Sequence, residues 1–302
     1  MINHNKIKII AEIGCNHKGD IDTAKKLIEI AAQSGADIAK FQKRNNLELL
    51  GEEGYNKSHP VPENSYGETY GLHRDFLEFS LDVHSELIEH CENNNIEYST
   101  SVWDISSAKD MAALKPRMLK IPSATNQHFD LQGYLCDHYA GEIHVSTGMT
   151  TRNEIERIVS FYEERNRAKD LVLYACTSGY PVPFEDLCLM EISRLQKQYG
   201  NRVKSIGFSG HHLGIAADVA AMAIGVRGAN DGLGEFEYIE RHFTLDRTWK
   251  GTDHAASLEP QGLARLCRDI ENCHKALTYK ENDVLEIEKV QRDKLKWAPI
   301  EN

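Results

Sequence analysis

The 302-residue chain has no apolar run of the roughly 18 residues that a membrane-spanning helix needs. Its opening, MINHNKIKII, carries no signal-peptide apolar stretch. A soluble, cytoplasmic protein with no membrane partner is expected. Positive charge is in deficit: 35 Lys and Arg stand against 46 Asp and Glu, a net charge of -11. An acidic surface repels nucleic acid, so none is expected as a partner, and any anionic ligand needs a local basic pocket. Cysteine is sparse and odd in number. The seven thiols, from Cys15 to Cys273, show neither zinc spacing nor a disulfide framework, so they are expected to be reduced. No G-x-G-x-x-G follows the first apolar run, which argues against a dinucleotide-binding sheet, and no H-E-x-x-H metal motif occurs. There is no linker, no low-complexity tract and no sign of a second domain.

What is present is alternation. Eight short apolar runs lie at 7–14, 36–42, 97–102, 118–122, 142–148, 171–178, 204–210 and 237–244. Each is rich in Ile, Val, Leu or aromatics, as a strand covered by helices should be. Helical patterns separate them. Residues 20–35 place Ile21, Ala24, Leu27, Ile28 and Ala31 on one face, with Gly35 as the stop. Thr151 followed by Glu154 reads as a capping box. The nearly all-apolar 214–225 predicts a well-buried helix. A further helix is predicted to begin at Ser257, with Pro260 in its first turn. Eight strand–helix repeats in this length predict an α/β fold, a single-domain (β/α)8 TIM barrel. The domain is expected over 1–285, with 286–302 as a C-terminal tail. Residues 43–80, rich in Pro, Gly, Asn and Tyr, read as a long loop after the second strand that serves the site.

In such a barrel the site is built from the C-terminal ends of the strands. Here those ends carry Glu12; Lys40 and Gln42; Thr100; Lys120 and Ser123; Ser146; Ser178; Ser209 and His211; and His242. A lysine at the end of a buried strand is costly unless something negative faces it. Lys40 and Lys120 therefore read either as anion ligands or as members of a structural ion pair with Glu12. His211 and His242 end neighbouring strands. They read either as an open divalent-metal site or as structural histidines.

Longer stretches carry a resemblance. IIAEIGCNHKGDIDTAKKLIEIAAQSGADIAKFQ, VSTGMT, CTSGYPVPFEDL, IGFSGHHLGIA and ERHFTLDRTWKGTDHAASLEP occur in order over about 7–280 and resemble the sialic acid synthase family. TYGLHRDFLEFS and TLDRTWKGTDHAASLEP look most like its 9-phosphate synthase branch. The resemblance implies a TIM-barrel transferase that condenses phosphoenolpyruvate with an N-acetylmannosamine-like hexosamine, with or without a 6-phosphate. The product would be a nine-carbon 3-deoxy-2-ulosonic acid, with release of phosphate. It also implies a divalent cation, Mn2+ or Mg2+, on His211 and His242, and a homodimer. By the same resemblance Lys40, Thr100, Lys120, Ser123, Ser146 and Ser209 would line the phosphoenolpyruvate pocket. Glu12, Asn64, Tyr180 and Asp253 would lie near the sugar, with Glu12 or Asp253 handling its hydroxyls or a proton. Gln42 and Ser178 join the binding set, and Lys250 is the expected reader of a 6-phosphate.

The chain departs from that family in three places. After the fourth strand it reads KIPSATNQ, with Thr125 where the family carries an acid. Ser178 stands where some relatives have Asn. No antifreeze-like domain is expected after residue 285. Two alternatives stay open: a related 3-deoxy-ulosonate synthase acting on an aldose without an N-acyl group, and a sugar-binding barrel without turnover.

Overall fold

The computed structural model describes residues 6–297. Eight parallel strands close into a barrel in chain order: β1 (Lys8–Gly14), β2 (Ile38–Lys43), β3 (Glu97–Val102), β4 (Met118–Ile121), β5 (Glu142–Ser146), β6 (Leu171–Cys176), β7 (Ser205–Gly210) and β8 (Glu235–His242). The helices are α1 (Ile21–Gln33), α2 (Asn46–Tyr55), α3 (Tyr70–Phe76), α4 (Leu81–Asn93), α5 (Ile105–Leu114), α6 (Phe129–His138), α7 (Arg152–Glu164), α8 (Met190–Tyr199), α9 (Ala216–Asn230), α10 (Pro260–Ala276) and α11 (Glu286–Leu295). None of the described helices is long and apolar enough to cross a membrane. All seven cysteines are free.

The two-residue alternation of each strand sorts its side chains between two cores. On β1, Ile9, Ala11 and Ile13 join the outer core between sheet and helices, while Ile10 joins a small inner cluster with Ile38, Met118, Val172, Tyr174 and Tyr238. That inner cluster packs the barrel interior below the strand ends. Helix α1 answers with Ala24, Leu27, Ile28 and Ala31 on its buried face, and the Asp20 side chain caps it by accepting from Thr23 N. Fully burying each such Leu or Ile contributes about 1.5–3 kcal/mol. Thr151 and Glu154 form the capping box of α7. Helix α9 buries seven residues, among them Asp218. Asp218 pairs with the fully buried Arg241, which also donates to Gly214 O at 2.9 Å, and this ties α9 to β8.

Three expectations are corrected. Strands β5 and β6 stop two residues short of 148 and 178, because the chain leaves the sheet there to build the loops above the barrel; Thr147, for example, turns its hydroxyl onto Tyr174 O. Helix α10 starts at Pro260, not Ser257. Ser257 is drawn inward, accepting from Asn16 Nδ2 at 3.0 Å and donating to Asp253 O at 2.7 Å. The 43–80 segment contains α2 and α3. Asn45 and Thr69 cap them through side-chain oxygens, a signal the sparse apolar pattern concealed. Within the tail expected over 286–302, Glu286–Leu295 form the short helix α11, which buries none of its residues.

The N-terminal end of the barrel is closed by ion pairs. Arg117 bridges Glu97 at 2.7 Å and Glu142 at 3.4 Å, Lys8 lies 3.7 Å from Glu97, and Lys204 lies 3.8 Å from Glu142. Tyr238 OH donates to Glu142 at 2.8 Å. Burial would raise the Glu142 carboxyl, but His144, Tyr238 and Lys204 outweigh it and bring its pKa down to about 2. The folded value lies below the unfolded one, so this stabilisation is complete above about pH 4.3 and disappears as pH falls towards 2. Glu142→Gln is expected to lower stability at pH 7 by at most about 3 kcal/mol. Urea unfolding followed by circular dichroism at pH 7, 4 and 3 checks it: the gap to the parent protein must narrow on acidification, and a pH-independent gap rules it out.

Candidate active site

Above the inner apolar cluster, the C-terminal ends of the strands open into a cavity of about 390 Å³. Its floor is a run of four buried charges, none more than 4% exposed: Glu12 on β1, Lys40 on β2, Lys120 on β4 and Glu240 on β8. Lys40 pairs with Glu12 and lies 3.6 Å from Glu240. Lys120 Nζ donates to Glu240 at 2.5 Å. Lys40 also donates to Ser101 Oγ at 2.9 Å, and Ser209 Oγ donates to Glu240 at 3.2 Å.

The two lysines are not equivalent. Burial opposes the Lys40 charge, but Glu12 and Glu240 together outweigh it and hold the ammonium above the ordinary lysine value. Burial, aided by the like charge of Lys40, pulls Lys120 below that value despite Glu240. Glu240 is as buried, yet the two lysines hold its carboxyl well below the usual range. One carboxylate thus serves two ammonium groups.

A second wall is made of small polar groups from β4 to β6. Around Gly148 they approach closely: a Cβ there would stand 2.3 Å from Ser178 Oγ and 2.7 Å from Ser123 Oγ. A side chain at 148 would fill this cradle, so glycine keeps it open. Ser146 and Cys176 also line it. Burial raises the Cys176 thiol pKa, so it stays protonated.

His211 follows β7 and His242 ends β8, with ring centroids 5.3 Å apart. Burial brings the His211 pKa down to about 3, so the ring is neutral at physiological pH. Its Nδ1 lies 3.0 Å from Thr177 O; a carbonyl only accepts, so Nδ1 carries the proton and Nε2 keeps a lone pair. His242 Nδ1 is buried without a hydrogen-bond partner and lies 4.0 Å from Asp253 Oδ2. Such a pair suits a divalent cation held in an open shell, with water and ligand oxygens completing it. Among the described residues no group of three or more His, Cys, Asp or Glu forms a closed metal cage. The Tyr180 ring lies 4.4 Å from His211, half-exposed at the mouth.

The expected residues Glu12, Lys40, Gln42, Lys120, Ser123, Ser146, Ser178, Tyr180, Ser209, His211, His242 and Asp253 all line this one cavity. Three others stand outside its lining. Thr100 has the strand parity of Tyr98 and Val102, which lie in the outer core, and is fully buried there; Ser101, one residue on, faces the cavity instead. Asn64 ends a short 3-10 turn. The exposed Lys250 rests its ammonium 4.9 Å over the Tyr66 ring. Glu240, Ser101, Arg44 and Arg74 line the cavity and were missed in the sequence. Glu240 was legible, since it shares the parity of His242 inside a strand that should be apolar. The arginines gave no signal, because they come from the edge and interior of the 43–80 segment. The acid absent at Thr125 leaves no gap in carboxylates: Glu12, Glu240 and Asp253 line the cavity. Asn126 does not take its role, being spent on Ser146 O at 2.8 Å and Thr150 Oγ1 at 2.6 Å.

Comparisons with known proteins find relatives over most of the chain. The chain is 36% identical to N-acetylneuraminate-9-phosphate synthase of Homo sapiens over 292 residues, covering 95% of this chain and 76% of that protein. It is 34% identical to N,N'-diacetyllegionaminic acid synthase of Campylobacter jejuni over 273 residues, covering 90% and 78%. The crystal structure of the N-acetylneuraminic acid (sialic acid) synthetase of Leptospira borgpetersenii superposes with a TM-score of 0.78 at 28% identity, covering 97% of this chain and 93% of that one. The NeuB family model matches residues 27–282. The chain belongs to the NeuB family.

Proposed function

We propose that the chain joins phosphoenolpyruvate to the aldehyde of an open-chain hexosamine, giving a nine-carbon 3-deoxy-2-ulosonic acid and inorganic phosphate. The observation that carries this reading is the buried Lys40–Lys120 pair beside the hydroxyl-lined wall around Gly148. Phosphoenolpyruvate has a carboxylate and a phosphate on one small carbon frame. Two fixed ammonium groups and the hydroxyls of Ser101, Ser123, Ser146 and Ser209 match those charges and orient them by charge-assisted hydrogen bonds.

In the reaction the methylene carbon forms a bond to the aldehyde carbon, and the aldehyde oxygen takes up a proton. Water adds to the carbon that bears the phosphate, the carbon–oxygen bond breaks, and phosphate leaves. Glu12, Glu240 and Asp253 are the carboxylates within the cavity that can accept or return these protons. Asp253 is suited to hold sugar hydroxyls: burial would raise its carboxyl pKa, but His242, Arg74 and Arg44 bring it below the usual range, so it stays an acceptor. The Tyr180 ring packs beside both histidines at the mouth, 4.4 Å from His211 and 5.8 Å from His242. A divalent cation, Mn2+ or Mg2+, would sit on His211 and His242 and supply Lewis-acid polarisation of the sugar carbonyl.

Phosphate release from phosphoenolpyruvate, in the presence of Mn2+ and a panel of free and 6-phosphorylated aldoses, tests the reading; release with none of them sinks it. Lys120→Gln removes the charge and leaves a polar side chain one atom shorter, while Lys40 still lies 3.6 Å from Glu240. It is expected to lower kcat/KM for phosphoenolpyruvate by roughly 10- to 100-fold, the worth of one charge-assisted contact; steady-state kinetics with unchanged values would reject Lys120 as a ligand. Chelation should abolish turnover, with recovery on adding back Mn2+ or Mg2+. His211→Ala and His242→Ala should each weaken Mn2+ binding measured by titration calorimetry, and undiminished binding in the double variant would refute the site.

A further inference from the structure

The cations in the cavity wall differ in how they are matched. Lys40 pairs with Glu12, Lys120 with Glu240, and Arg44 lies 3.1 Å from Glu78. Arg44 is further held by Cys15 Sγ at 3.4 Å and by Gln42, with its guanidinium 4.2 Å over the Trp103 ring. Arg74 stands apart. It lines the cavity, yet no carboxylate lies within ion-pair distance of it among the described residues. Its Nε and Nη2 donate to Tyr70 OH, one helical turn earlier, at 3.1 and 2.7 Å. This contact sets the plane of the guanidinium and leaves Nη1 without a protein partner among the described residues.

Arg74 is also held over the mouth by its helix. The C-terminal end of α3 lies against the loop after β1, where Gly19 adopts φ +72° and a Cβ would stand 2.2 Å from Phe76 O. The Phe76 ring stacks on Tyr66 at 4.9 Å, and Tyr66 OH donates to Lys250 O in the loop after β8. Two loops thus clamp α3 in place. The cavity then has two cationic poles. The Lys120 charge acts at Cys176, beside Ser123 and Ser146. The Arg74 and Arg44 charges act at Asp253, next to His242. Asp253 Oδ2 lies 4.0 Å from His242 Nδ1, so the histidine pair borders the arginine pole. A sugar whose aldehyde meets the histidines, and whose partner occupies the lysine pole, directs its far end towards the arginine pole.

We propose that Arg74 reads a phosphate on the far end of the acceptor, so that this chain prefers a 6-phosphorylated hexosamine over the free sugar. The proposal rests on the phosphoenolpyruvate condensation read above. Guanidinium suits the task because its planar fork matches two phosphate oxygens at once, and an unmatched cation pays no ion-pair energy to receive them. Lys250, engaged over Tyr66 and outside the cavity lining, does not do this.

The test measures kcat/KM for N-acetylmannosamine 6-phosphate and for N-acetylmannosamine in the parent protein, Arg74→Ala, Arg74→Lys and Lys250→Ala. The ratio between the two acceptors should fall by roughly 10- to 100-fold in Arg74→Ala, recover in part in Arg74→Lys, and stay near the parent value in Lys250→Ala. An unaltered ratio in Arg74→Ala overturns the proposal, as does a parent protein without preference for the phosphorylated acceptor. Titration calorimetry of N-acetylmannosamine 6-phosphate into the parent protein and Arg74→Ala gives a readout independent of turnover. A parent protein that releases no phosphate with any acceptor refutes the condensation reading, whereas equal binding by parent and Arg74→Ala refutes the role of Arg74.

Discussion

Glu12, Lys40, Glu240 and Lys120 share one dry space at the top of the barrel, and the rest of the site is arranged around keeping them charged. Removing one partner of such a buried pair typically costs about 3–5 kcal/mol, because the other is left uncompensated. The four therefore stand or fall together. Their arrangement is lopsided: Glu240 is shared between two lysines, while Glu12 serves Lys40. An incoming anion can take over part of what Glu240 supplies without leaving any ammonium bare. The site is thus folded around its ligand's charge before the ligand arrives, which lowers the reorganisation needed on binding.

This arrangement depends on strand parity. A slip of one residue in any of the four strands would turn its charge into the outer core, where no partner waits. Thr100 illustrates the rule. One position from Ser101, it is fully buried among Tyr98 and Val102 while its neighbour faces the cavity. The inner cluster of Ile10, Ile38, Met118, Val172, Tyr174 and Tyr238 sets that parity from below, and the Glu142 network closes the base beneath it. The barrel is layered accordingly, with ion pairs at the base, apolar packing in the middle and ion pairs again at the reactive top.

The same parity explains what could be read from the sequence. The eight strands, their order and most of the residues that line the cavity are legible, because polar groups at the ends of apolar runs are conspicuous. Glu240 is legible by the same rule as His242, two residues earlier on the same face of the strand. Thr100 and Ser101 both stand near the end of an apolar run, and only strand parity separates them: Ser101 faces the cavity and Thr100 the outer core. Arg44 and Arg74 were out of reach. They come from a segment whose helices are short, capped by Asn45 and Thr69, and packed through the tyrosine and histidine rings of Tyr66, Tyr70, His59 and His73 rather than by an apolar stripe. For Lys250, nothing in the sequence reveals that Tyr66 lies beneath its ammonium.

Charge balance connects the site to the whole molecule. With a net charge of -11, the protein repels anions at a distance. Around the cavity, Lys40, Lys120 and Arg44 are matched by Glu12, Glu240 and Glu78; Arg74 has no ion-pair partner among the described residues and is offset only at longer range by Asp253, so the formal charges sum to about zero. Phosphoenolpyruvate brings a carboxylate and a phosphate worth about -1.5 to -2 near neutral pH. A cavity close to neutral has too little positive potential to draw that charge out of water on its own. Two neutral imidazoles that add no charge themselves, but are fit to hold a divalent cation, are where the missing positive charge would enter. On this view the histidine pair belongs to the anion balance of the cavity as much as to the chemistry of the sugar carbonyl.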